Sequence, residues 1–179
     1  GGIKADAAIE AAGAFLGWLD FRPDAAGAAD RVAVIGFNDS AWIETALTGD
    51  ADADAVRQAL ARLKHRIAEG TRLDLALQAP LELIADTPPE GGRSIVVLLL
   101  TDGMPNRVPA ASDGRVETTV LRSASGLYRR GIPVEAIGFG DASQINETLL
   151  RQIGEYHHAS GAEDLARVFW RIARTIGCR

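Results

Sequence analysis

The sequence predicts an α/β domain: a three-layer arrangement with a mostly parallel sheet, helices on both faces and one antiparallel edge strand. Two observations carry this. Three strand-like segments, RVAVIGF at 31–37, IVVLLL at 95–100 and IPVEAIGFG at 132–140, alternate with stretches of helical periodicity. Such alternation implies right-handed crossovers and a parallel sheet covered on both sides. The run at 95–100 is also apolar without a polar break, the pattern of a central strand buried on both faces.

Apolar spacing at Ile9, Ala12, Phe15, Leu16 and Leu19 predicts a first helix over 3–19, with Gly13 and Gly17 allowing close packing on a sheet. A polar connection beginning at Arg22-Pro23-Asp24 leads to the strand at 31–37, which ends in Asn38-Asp39-Ser40. Residues 41–47 read as an edge strand returning antiparallel, and 48–50 as a turn. A helix over 54–67 turns Val56, Leu60, Leu63 and Ile67 inward. After the loop at 68–71 comes a helix over 73–85, in which Pro80 predicts a kink or early break. Loops at 87–92 and 108–115 flank the strand at 95–100, and a helix follows over 118–130. Beyond the strand at 132–140 come a helix over 144–154, an extended piece at 155–159 and a closing amphipathic helix over 163–176.

At 179 residues the chain fits a single domain, 1–179, able to bury a core without disulfides. A net charge of −5 and scattered arginines argue against a nucleic-acid surface. No apolar run reaches bilayer-spanning length, so no membrane insertion is expected within this chain. No signal peptide or initiator Met is visible, and the opening at Gly1-Gly2 reads as that of a fragment or processed product. The single cysteine, Cys178, is either a free thiol or half of a disulfide whose partner lies outside the chain.

Candidate chemistry sits where strands end. Asp102 follows the strand at 95–100, and open α/β sheets place ligands at that edge. Gly70-Thr71 and Asn38-Asp39-Ser40 can converge on the same edge. A hydroxyl and carboxylates are hard oxygen donors, suited to Mg²⁺, Mn²⁺ or Ca²⁺ and not to zinc or copper. Each residue also has a plainer role: Asp102 as turn chemistry, Thr71 as a helix N-cap, and Asp74 as a first-turn acid favoured by the helix dipole. Asn38 and Asp39 read as turn residues, and Asp141 as turn chemistry after Gly140. His157 and His158 point to opposite sides of an extended piece, and with no Cys or third His nearby they read as packing or surface residues. Trp42 is expected to pack on an edge strand and Trp170 within a helix contact. Neither a P-loop nor a complete dinucleotide fingerprint is present, since Gly138-Phe139-Gly140 lacks the third glycine.

In their order, RVAVIGF-ND, EGTRLDLAL, IVVLLLTDGMPN and GIPVEAIGFG resemble a von Willebrand factor type A domain over nearly the whole chain. The resemblance implies a Rossmann-like sheet with a metal-ion-dependent adhesion site built from three loops: an Asp-x-Ser-x-Ser, a Thr and an Asp. Thr71 matches the second-loop threonine and Asp102 the third-loop aspartate. The first motif and the strand before it should stand immediately ahead of the first helix, so the domain is expected to lack its N-terminal strand in the chain shown, leaving an apolar slot. The resemblance implies a divalent-cation-dependent adhesion or scaffold module, not an enzyme, that recognises an Asp or Glu carboxylate on a protein partner. Mg²⁺, or Mn²⁺ or Ca²⁺, would be held when the first motif is present. Alternatives are a Mg²⁺-dependent phosphoryl-transfer or hydrolytic enzyme using Asp102, and a structural domain without a working metal site. An extracellular or cell-surface location, on a bacterium, is expected, with Cys178 paired to a cysteine upstream of Gly1. The alternative is a cytoplasmic chaperone-like or chelatase-associated domain.

Overall fold

From residue 97 onward strands and helices alternate as the apolar pattern requires. In the computed structural model, residues 2–21, 29–47, 53–66, 70–86, 94–103, 105 and 115–176 are described. The order is α1 (Gly2–Phe15), β1 (Val34–Phe37), β2 (Ala41–Thr45), α2 (Ala53–Leu63), α3 (Leu73–Asp86), β3 (Val97–Thr101), α4 (Val116–Tyr128), β4 (Val134–Phe139), α5 (Glu147–Ile153), β5 (Glu155–Ala159) and α6 (Ala162–Ile176). The connections expected at 22–28, 48–50, 68–69, 87–92 and 108–114, together with Ile67 and Cys178, lie outside the described residues.

β3, β4 and β5 form a parallel three-stranded sheet in that order, with Leu98 opposite Glu135 and Glu135 opposite Glu155. β1 and β2 form a separate antiparallel pair, Phe37 opposite Ala41, as expected for the returning edge strand. Among the described residues, β1 and β3 share no hydrogen-bonded ladder. Val34 of β1 nonetheless shares an apolar cluster with Leu98 and Leu100 of β3.

The layers follow from the two-residue alternation of strand side chains. Val134 and Ala136 of β4 pack with Leu73, Leu77, Val120, Leu127, Leu149 and Leu150 of α3, α4 and α5. Ile137 and Phe139 turn the other way, toward Phe15, Leu165, Val168, Phe169 and Ile172 of α1 and α6. The 165/168/169/172 spacing is one helical face, and Glu163 and Asp164 in the first turn suit the helix dipole. Asn146 caps α5 by accepting from the Leu149 amide at 3.0 Å.

Several expectations need correction. Every residue of β4 is buried, but in β3 only Leu99 and Thr101 are, with Val97, Leu98 and Leu100 half-buried. Among the described residues β4 has a strand on each side and β3 on a single side, so the fully covered strand there is not the run at 95–100. Pro80 does not break α3, which runs on to Asp86. The ring costs one backbone hydrogen bond, and burial of Leu77, Ala79 and Leu83 on either side offsets it. The helix expected over 3–19 closes its α-helical part at Phe15, with a single 3-10 turn at Leu16–Trp18. A Cβ added at Gly13 or Gly17 would meet nothing within 4 Å, so neither glycine serves close packing. The segment at 144–154 divides into a 3-10 turn, Ala142–Gln144, and α5. Trp170 is 47% exposed and stacks under the Arg174 guanidinium at 4.8 Å, so it lies outside the core face of α6.

Candidate functional site

The carboxyl end of β3 is bent by its own side chain. The buried Thr101 hydroxyl donates to the Gly103 carbonyl at 3.2 Å and lies 3.4 Å from the Gly103 amide, which donates to it. The turn leaves Asp102 exposed at the sheet edge. A Cβ placed on Gly103 would stand 3.9 Å from the Thr71 hydroxyl oxygen, so the second and third candidate loops lie side by side.

Thr71 is half-buried and is placed by its neighbours. Gly70 adopts φ +109°, a conformation that side chains resist. A Cβ there would fall 1.8 Å from an Asp39 carboxylate oxygen. The Arg72 amide donates to the Asn38 carbonyl at 2.9 Å, tying this loop to the turn after β1. Arg72 also grips Asp74 through two bonds, Nε to Oδ1 and Nη2 to Oδ2, both 2.8 Å. Asp74 is 1% exposed, and its hydrogen bonds to the guanidinium raise the Arg72 pKa above its ordinary value. The first turn of α3 is thereby fixed just beyond Thr71. Asp74 is a first-turn residue as expected, and its partner is a charged side chain as well as the dipole.

Asn38 behaves as the turn residue it resembles, its Oδ1 accepting from the Ser40 amide at 3.0 Å and its Nδ2 donating to the Arg66 carbonyl at 3.2 Å. Asp39 does more than turn the chain, because its carboxylate lies against Gly70, one residue from Thr71. The signal in the sequence is the glycine before the threonine: a position without Cβ accepts a carboxylate at close range. Asp141 follows β4 on the same edge and accepts from the Ser143 amide at 2.8 Å. Hydrogen bonds from the Ser143 amide and hydroxyl, with Lys4 and His158 nearby, hold its carboxyl below its ordinary pKa. It is turn chemistry, as expected. Lys4 lies against Gly140, which brings the start of α1 to this edge too. Trp42 packs over Gly36 on the edge pair, with its indole N–H donating to Glu44 at 3.1 Å.

The neighbouring loops carry a hydroxyl and carboxylates. A small divalent cation fits such a set, because Mg²⁺ and its relatives take hard oxygens and keep several waters. Thr71 and Asp102 would hold it, supplying two of roughly six ligands.

A parallel α/β sheet with polar loops gathered at the carboxyl ends of its strands defines a Rossmann-like α/β protein. The family model for the von Willebrand factor type A domain matches residues 6–168, and the chain belongs to that family. It is 29% identical over 143 residues to Matrilin-2 of Mus musculus, covering 80% of this chain and 14% of that protein. The fold is similar to that of proximal thread matrix protein 1 from the mussel byssus, in a structure described as having a zinc-occupied MIDAS motif. The TM-score is 0.79 at 16% identity, covering 98% of this chain and 43% of the other. It is also similar to the pilus adhesin SpaC of Lactobacillus rhamnosus GG, with a TM-score of 0.73 at 17% identity over 97% of this chain and 28% of the adhesin. The chain thus spans less than half the length of each of these proteins.

Proposed function

We propose that this domain is a protein-binding module whose grip depends on a divalent cation, Mg²⁺ or alternatively Mn²⁺ or Ca²⁺, at the carboxyl edge of the sheet. Thr71 ligates through its hydroxyl, and Asp102 ligates directly or through water. A partner's Asp or Glu carboxylate completes the cation's shell, so the action is recognition and not catalysis. The single observation that carries this is the adjacency of the Thr71 hydroxyl to the Asp102-Gly103 turn. An adhesin and a byssal matrix protein among the structural relatives favour an extracellular or cell-surface setting.

The remaining protein oxygens come, in this reading, from an Asp-x-Ser-x-Ser segment ending a strand ahead of Gly1. Two features support it: β1 and β3 share an apolar cluster without a ladder, and Lys4 brings the start of α1 to the cation edge. A disulfide from Cys178 to an upstream cysteine belongs to the same proposal; within the chain Cys178 has no second cysteine to pair with.

The test is the stability of the intact protein in Mg²⁺ against chelator. A cation at a hundredfold excess over its Kd stabilises by about 2.7 kcal/mol. Thr71→Ala should remove most of that gain. An equal gain with and without Thr71 would overturn the assignment.

A further inference from the structure

A second group of metal-ligating side chains lies away from the edge described above, on the strands themselves. Glu135 is the second residue of β4, and Glu155 and His157 are the first and third of β5. The register sets Glu135 opposite Glu155 and Ile137 opposite His157. All three side chains therefore alternate onto the face of Ile137, Phe139 and Ala159, the one covered by α1 and α6. His157 Nε2 and Glu135 Oε2 are 2.8 Å apart, and each side chain is 7% exposed. Glu155 is exposed, and one ligand atom from each of the three residues lies within 4.8 Å of the others.

We infer that Glu135, Glu155 and His157 form a second divalent-metal site, of the zinc class, in which one imidazole nitrogen and two carboxylates bind the ion and water takes the fourth position. The donor set differs in kind from that at Asp102. An imidazole suits zinc-type ions, while carboxylates and hydroxyls alone suit Mg²⁺ and Ca²⁺. A tetrahedral ion with bonds of about 2.05 Å needs donor atoms roughly 3.4 Å apart. The Glu135–His157 contact must open by about half an ångström to admit it. Two ligands on adjacent paired strands are held by backbone hydrogen bonds, so the site is largely formed before metal arrives. The exposed Glu155 provides the way in. Leu98 stands opposite Glu135 four residues before Asp102, so the two sites are about 13 Å apart along the strands.

Zinc titration of the Asp102→Ala protein tests this with the cation edge silenced. One Zn²⁺ per chain should bind, and Co²⁺ in its place should give the visible absorption of a tetrahedral site. Glu155→Gln alters an exposed side chain and leaves the buried pair intact, and should weaken zinc binding at least tenfold. His158→Gln, on the opposite side of β5 with its ring nitrogen 2.9 Å from the Gly140 carbonyl oxygen, should leave binding unchanged. Absence of stoichiometric zinc binding, or equal affinity in Glu155→Gln, overturns the site. So does a loss confined to His158→Gln.

Discussion

The carboxyl edge of the sheet and the Glu135–His157 cluster are built by opposite means. At the edge, loops carry the donors: Asp102 is exposed, and Thr71 owes its position to Gly70, Asp39 and the Arg72–Asp74 pair. In the cluster, paired strands carry two buried side chains that satisfy one another. An exposed loop carboxylate can be changed at little cost to folding, which suits a residue that meets a partner. A buried hydrogen-bonded pair cannot, because removing one member leaves the other's polar group buried and unsatisfied. Function and stability are therefore separable at the first place and entangled at the second.

The largest expected difference between them is in stability. His157→Ala leaves the buried Glu135 side chain without its hydrogen-bond partner and should cost about 3 kcal/mol in urea unfolding. Asp102→Ala should stay within about 0.5 kcal/mol of the parent, as exposed positions do. Similar losses from both substitutions would erase the contrast.

Gly70→Ala falls between these. It forces a side chain into φ +109° and against the Asp39 carboxylate, so a loss of about 2 kcal/mol is expected, together with displacement of Thr71 and weaker cation binding. A neutral effect in both measurements would mean that this loop is not held as described.

The smallest effect concerns Asp141. Its folded pKa lies below the unfolded one, chiefly through the Ser143 hydrogen bonds. Its stabilising contribution is therefore complete above the unfolded value, about pH 4, and is lost as pH falls through the lower folded value. Asp141→Asn should flatten this part of the acid-unfolding profile and leave the profile above about pH 5 parallel to that of the parent.

Much of this architecture is legible in the residues. Apolar runs mark β1, β3 and β4, and the 165/168/169/172 spacing marks the inner face of α6. Thr71 and Asp102 stand out because ordered motifs place them at strand and helix ends, where backbone geometry brings distant loops together. Coverage of β3 is not legible, since an apolar run says what a strand can bury and not which neighbours it has. Nor is the partner of His157. Alternation gives the face of a side chain, but Glu135 lies 22 residues away and meets it only through β4–β5 register. Trp170 misleads for a related reason: an aromatic beside a helical stripe can cover a neighbouring arginine and remain outside the core.

The most direct test of the cation edge is Mn²⁺ binding to the intact protein, followed by the loss of the free-ion paramagnetic resonance signal. The account predicts a saturable site that Asp102→Ala abolishes and Thr71→Ala weakens at least tenfold, with Glu155→Gln leaving it unchanged. Undiminished Mn²⁺ binding by the Asp102→Ala protein would contradict it.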